Sequence, residues 1–171
     1  GLPDSPARET DPPRLVSDYG RSKWAGEKEV TDHCPVPFVI LRPSGVYGPG
    51  DRDFLQLFKA VGVHLRPTFA GGHQPLSLVY VDDLAHVAVE CLVSSAGDRR
   101  VYHVAHPTVV TAAELGREIA RQMGVWSIGV PLPSPLLGLL CLLQECVSRV
   151  TKRPAILNRE RFHELRAPGW V

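Results

Sequence analysis

Apolar residues along this chain change period several times, and each change marks an element. Phe38-Val39-Ile40-Leu41 is a continuous apolar run closed by Pro43, the pattern of a strand buried on both faces of a parallel sheet. Leu76 to Val81 reads as a second strand and Val101 to Ala105 as a third. Elsewhere the spacing is helical. A helix is expected from about Asp18 to Asp32, with Asp18 as its cap and Trp24, Ala25 and Val30 on its apolar face. Asp51 to Val61 predicts another, with Phe54, Leu55, Leu57, Phe58 and Val61 turned inward. Asp82 or Asp83 is expected to cap a helix running to about Ser95, with Leu84, Val87, Ala88, Cys91 and Leu92 at helical spacing. Thr111 and Glu114 have the spacing of a capping box, and the helix they open is expected to end near Met123-Gly124. A leucine-rich helix over 134–150 and a short one from Asn158 to Leu165 complete the series.

Strands alternating with helices imply an α/β fold with a largely parallel sheet. Three strands are few for such a sheet. The chain also opens in a polar, proline-rich stretch and stops at Gly169-Trp170-Val171, so further residues are expected at both ends. The expected organisation is the C-terminal part of a Rossmann-like parallel sheet over residues 1–125, interleaved with substrate-binding segments. A mostly helical substrate-binding region follows over 126–171.

Composition narrows the function more than the fold. With 19 basic and 18 acidic residues the net charge is +1, which is not the footprint of a nucleic-acid binder. The longest apolar stretch, Pro135 to Leu143, is far shorter than the ~20 residues of a membrane span. Membrane contact is therefore not expected, and that segment reads as a core or pocket-lining helix. Gly1 to Pro13 contain no apolar signal-like run, and a cytoplasmic setting is expected. Cys34, Cys91, Cys141 and Cys146 form no CxxC pair, and the seven histidines form no HExxH pattern, so no metal site is expected.

The residues that carry chemistry are Tyr19 and Lys23. Four apart on a predicted helix, their side chains share a face. An ammonium beside a phenol favours the phenolate form. Such a tyrosine can exchange a proton with a substrate hydroxyl while a hydride leaves or joins the carbinol carbon.

The run Tyr19-Gly20-Arg21-Ser22-Lys23-Trp24-Ala25-Gly26-Glu27 resembles the active-site helix of the extended short-chain dehydrogenase/reductase family, the NAD-dependent epimerase/dehydratase group. Leu41 to Asp51, reading LRPSGVYGPGD, is similar to that family's second signature, and Val79 to Ala85, reading VYVDDLA, to its third. The resemblance implies Tyr19 as general acid/base and Lys23 as the residue that holds the nicotinamide ribose hydroxyls. It also implies Pro43 and Val46 at the border of the nicotinamide ring. Tyr19, Lys23, Pro43 and Val46 are thus the expected contacts of NAD or NADP. Arg42 is expected in buried pairing rather than in catalysis, and Asp82 and Asp83 as helix caps. A homodimer of the full protein is implied as well.

Two departures matter. The chain carries no GxGxxG between a strand and a helix, so on its own it is not expected to hold the cofactor well or to turn over. Ser17 lies too close to Tyr19 to be the family's catalytic serine. Leu76, moreover, occupies the position where members acting on nucleotide sugars place an arginine, and leucine makes no charge-assisted contact with phosphate. Together with the leucine-rich 134–147 stretch, this favours a less polar substrate, a sterol-like or other hydroxy/keto compound, with Arg66 and Arg52 as the alternative contacts for a phosphate. The expected function is an NAD(P)-dependent dehydrogenase or reductase acting on a small molecule. The alternatives are a nucleotide-sugar epimerase or dehydratase and a non-catalytic dinucleotide-binding member.

Overall fold

The computed structural model describes residues 5–13, 15, 17–68, 72–94 and 98–131. In chain order its elements are α1 (Asp18–His33), β1 (Val39–Pro43), β2 (Gly45–Tyr47), α2 (Arg52–Gly62), β3 (Leu65–Thr68), β4 (Pro75–Leu76), β5 (Leu78–Tyr80), α3 (Val81–Val93), β6 (Arg100–Val104), β7 (Val110–Thr111), α4 (Ala112–Gln122) and β8 (Ile128–Pro131). The helices expected over 134–150 and 158–165 lie outside the described residues. The chain divides into two compact units, whose described parts fall within 5–51 with 76–109 and within 52–75 with 110–131.

The first unit holds α1, α3 and two parallel strand pairs. β1 runs beside β6 in the register Val39↔Arg100 to Pro43↔Val104. β2 runs beside β5 from Gly45↔Leu78 to Tyr47↔Tyr80. The parallel α/β arrangement expected from the apolar runs is borne out. The β1 run is half-buried rather than enclosed on both faces. The strand expected over Leu76 to Val81 is interrupted at Ser77, whose carbonyl accepts the Gly45 N–H at 3.3 Å.

Both expected aspartate caps are replaced. At α1 the cap is Ser17, with φ −131° and ψ 158°, whose hydroxyl accepts the Gly20 N–H at 3.1 Å. Asp18, already in the helix, accepts from the Arg21 guanidinium instead. α3 starts directly from β5, so Tyr80 stands at the cap position without a side-chain bond, and Asp82 and Asp83 fall in the first turn. There they lie at the positive end of the helix dipole. The apolar faces are narrower than expected: Ala25 and Val30 of α1 are exposed, and Leu92 of α3 is 85% exposed.

The second unit has the tighter core. Val61 is fully buried, with Ile119 and Ala120 against it and Leu57, Leu115 and Val125 around them. Leu55 and Phe58 of α2, expected inside, are exposed, because the helix is covered along the Phe54, Leu57 and Val61 line only. β3 and β8 pair in parallel, Leu65↔Ile128 to Thr68↔Pro131. His64 turns the chain into β3 at φ 67°, with its ring stacked 4.0 Å from that of Trp126.

α4 is closed at both ends as its sequence predicts. Thr111 accepts the Glu114 N–H at 3.2 Å, and the Glu114 carboxylate accepts the Thr111 N–H at 2.8 Å. At the far end Gly124 adopts φ 65°, Val125 N–H reaches Ala120 O and Gly124 N–H reaches Arg121 O, the paired bonds of a Schellman motif. Val125 and Ala120 meet in the core, which is the apolar contact that motif carries.

Two predictions follow from α4. A Cβ at Gly124 would meet no atom within 4 Å, so Gly124→Ala tests the left-handed backbone alone. It should cost about 1 kcal/mol in urea denaturation, and an unchanged midpoint would contradict the motif. Hydrogen bonds from Arg121 and then Gln122 draw the Glu118 carboxyl from 4.5 down to about 2. A depressed carboxyl stabilises the fold above its unfolded value and loses that contribution as pH falls from 4.5 toward about 2. The melting-temperature gap between parent and Glu118→Gln should therefore close across that interval, and more weakly at high salt; a gap constant from neutral to pH 2.5 would contradict it.

Candidate active site

The structure places the four expected site residues in the first unit. Tyr19 lies in the first turn of α1 and Lys23 one turn later. Lys23 Nζ lies 5.4 Å from the centroid of the Tyr19 ring, in range of a cation–π contact. Tyr19 is 66% exposed and Lys23 is exposed too, so phenol and ammonium are presented together. Ser17 is occupied in capping the helix that carries them.

Pro43 closes β1 and is exposed, while Val46 is half-buried at the centre of β2 opposite the buried Val79. Between them the chain changes partner within two residues. Ser44 N–H donates to Val104 O at 2.9 Å, extending the β6 pairing, and Gly45 N–H donates to Ser77 O. Ser44 Oγ is buried there with no hydrogen-bond partner among the described residues. The second and third signatures then meet. Tyr47 and Tyr80 stand in register with ring centroids 5.5 Å apart. Gly48, at φ 155°, lies so close to the start of α3 that a Cβ would fall 2.5 Å from Val81 Cγ1.

Arg42 is paired, as expected, and its partner is Glu27. Arg42 Nε donates to Glu27 Oε2 at 3.0 Å and Nη2 to Oε1 at 2.5 Å, the bidentate geometry that suits guanidinium and carboxylate. Both side chains are sheltered, at 23% and 15% exposure. The guanidinium also lies 5.6 Å from the Trp24 ring and donates to Glu9 O at 3.5 Å. Glu9 accepts the backbone N–H of His103 at 2.9 Å. That bond first, and the bond from Glu9's own backbone N–H after it, hold the Glu9 carboxyl below its ordinary 4.5.

Glu27 closes the run that resembles the family's active-site helix, and Glu9 precedes that run much as the family's loop does, but the motifs gave neither residue a partner. A signal for Glu27 was present: it continues the Tyr19, Lys23 spacing by another four residues, on the same helical stripe. Nothing local in the sequence pointed to the partner of Glu9, His103, which is distant along the chain.

Parallel strand pairs with intervening helices define a Rossmann-like α/β fold. Residues 1–148 match the family described as RmlD substrate binding domain, and the chain belongs to that family. The expected resemblance to the epimerase and reductase branch of the short-chain dehydrogenases is thereby established. A UDP-glucose 4-epimerase of Vibrio cholerae is 30% identical over 161 residues, covering 90% of this chain and 48% of that protein. A ceramide reductase of Caulobacter vibrioides is 28% identical over 158 residues, covering 91% and 49%. Among solved structures, a UDP-glucuronic acid 4-epimerase from Bacillus cereus in complex with UDP-glucuronic acid and NAD superposes with a TM-score of 0.66 at 24% identity, over 77% of this chain and 45% of that one. The chain spans about half the length of the curated relatives it matches. Among the described residues, no helix is long and apolar enough to cross a membrane.

Proposed function

We propose that this chain is the catalytic-pair half of an NAD(P)-dependent oxidoreductase acting on a small hydroxy or keto compound. The observation that carries the proposal is the exposed Tyr19 phenol with the Lys23 ammonium 5.4 Å from its ring centroid on one helix face. Relatives that include epimerases and a reductase support it.

The residues present suit a nicotinamide nucleotide. Tyr19, Lys23 and Pro43 are exposed, and the Ser44 hydroxyl between Pro43 and Val46 is a polar group without a partner among the described residues. Bound NAD or NADP supplies the hydride donor or acceptor. Tyr19 Oη exchanges the proton with the substrate oxygen as the carbon gains or loses hydride. Lys23 binds the ribose hydroxyls and stabilises the negative charge that grows on Tyr19 Oη as its proton leaves. Pro43 and Val46 would border the nicotinamide ring.

The substrate we favour is of low polarity, sterol-like or another lipid-like hydroxy/keto compound. Leu76 at the phosphate-arginine position and the relative that is a ceramide reductase support this. A second reading, a nucleotide-sugar epimerase or dehydratase, is supported by the Vibrio cholerae relative. In either reading residues 1–125 complete the nucleotide-binding domain, 126–171 contribute to the substrate side, and the full protein pairs as a cytoplasmic homodimer through helices that include α1.

The test is Tyr19→Phe in the full-length protein. Turnover should fall by about 10²–10⁴-fold, the usual contribution of a positioned acid/base, while NADH and NADPH affinity stays within a few-fold. A variant that keeps full turnover contradicts the role of Tyr19. If no turnover is found in the parent and nucleotide still binds, the non-catalytic reading replaces this one.

A further inference from the structure

α1 carries the residues of the reaction, yet it buries none of its side chains fully. Apolar packing therefore does little to fix where the helix lies. What joins it to β1 is a polar cluster centred on Arg42. Tyr19, Lys23 and Glu27 recur every four residues on α1, so a carboxylate stands on the same stripe about 12 Å along the axis from the tyrosine. Its two oxygens are held by Nε and Nη2 of Arg42 at 3.0 and 2.5 Å. Arg42 immediately precedes Pro43, and its own backbone is set by the β1–β6 ladder opposite His103.

The same guanidinium holds the segment before the helix. Arg42 Nη1 reaches Glu9 O at 3.5 Å, and Glu9 in turn takes the His103 N–H, a donor the ladder leaves free. The Trp24 ring lies 5.6 Å from the guanidinium carbon. One side chain thus gathers two points of α1, the chain leading into α1, and the strand end where the second signature begins.

We infer that Arg42 and Glu27, seconded by Glu9, are positioning residues: they set the placement of Tyr19 and Lys23 relative to Pro43 and Val46. The inference rests on the oxidoreductase reading above. Neither Arg42 nor Glu27 touches the reacting atoms, and each acts through the helix. A planar fork against a carboxylate fixes direction as well as distance, which a lysine at the same place would not. Reacting groups displaced by about 1 Å lose on the order of 10²-fold in rate, so the clamp acts on turnover more strongly than on binding, which several other contacts share.

The test is a double-mutant cycle on Glu27→Gln and Arg42→Lys in the full-length protein. Three properties are read: hydrogen exchange of backbone amides, NADH affinity, and NADH- or NADPH-dependent turnover of a long-chain ketone. Each single variant should speed exchange in α1 by at least about tenfold and leave β1 and β6 amides unchanged. Each should lower kcat by about 10–100-fold with KM and NADH affinity within about threefold. The double variant should be no worse than the weaker single one, because both break the same link. Exchange and kcat within twofold of the parent would overturn the inference. So would exchange rising alike in α1, β1 and β6, or losses that simply add, since those outcomes assign the pair to general stability. Tyr19→Phe in the same protein keeps the readings apart. If it retains turnover, the catalytic reading has failed, and the exchange data alone then decide whether the clamp exists.

Discussion

The ion pair between Arg42 and Glu27 is the contact on which the first unit's organisation rests. Most of its neighbours in kind are surface pairs: Arg21 with Asp18, Arg121 with Glu118 and His33 with Glu29 all lie well over half exposed on at least one partner. Pairs of that sort contribute little. Arg42 and Glu27 are sheltered on both sides and joined through two nitrogens. Removing one partner would strand the other's charge in a half-dry environment, which is costly where the intact pair need not be strongly stabilising. Its value is geometric, since it ties a helix that packs weakly to a strand that is held by its ladder.

That division of labour accounts for the contrast between the units. In the second, Val61, Ile119 and Ala120 form an apolar core, and α4 is closed by a capping box and a Schellman motif. Apolar burial and local hydrogen bonds do the work there. In the first, Tyr19 and Lys23 are open to solvent. A helix that displays that face cannot also bury it, and the proposed orienting link is the polar one two turns away. The change of strand partner across Ser44, with Gly48 close against Val81, brings the second and third signatures together at the same end of the strands.

Local signals in the sequence were read well. Thr111 with Glu114 and the Met123-Gly124 stop are short-range chemistry, and both are found as expected. The apolar run at 38–41 identified β1 and its parallel pairing. Signals that compete locally were misread. Ser17 and Asp18 are both good caps, and adjacent residues cannot both occupy the position; the extended backbone falls at Ser17. Asp82 and Asp83 look like caps until β5 is seen to run straight into α3. The strands β2, β3, β7 and β8 are two to four residues long, too short to impose a period, and several contain proline or glycine. That Tyr19 and Lys23 share a face of α1 was legible from their spacing. The contact between Glu9 and His103 was not, because it joins residues 94 apart in sequence.

The central claim is that this chain supplies the reacting face of a nicotinamide site whose phosphate-binding loop it does not itself contain. Calorimetric titration of NADH and NADPH tests it most directly. Each nucleotide would be titrated into this chain and into a longer version that includes upstream sequence through a glycine-rich loop. The account predicts that the longer version binds one nucleotide well and that this chain alone does not. Tight binding by this chain alone, or no binding by either, would contradict it.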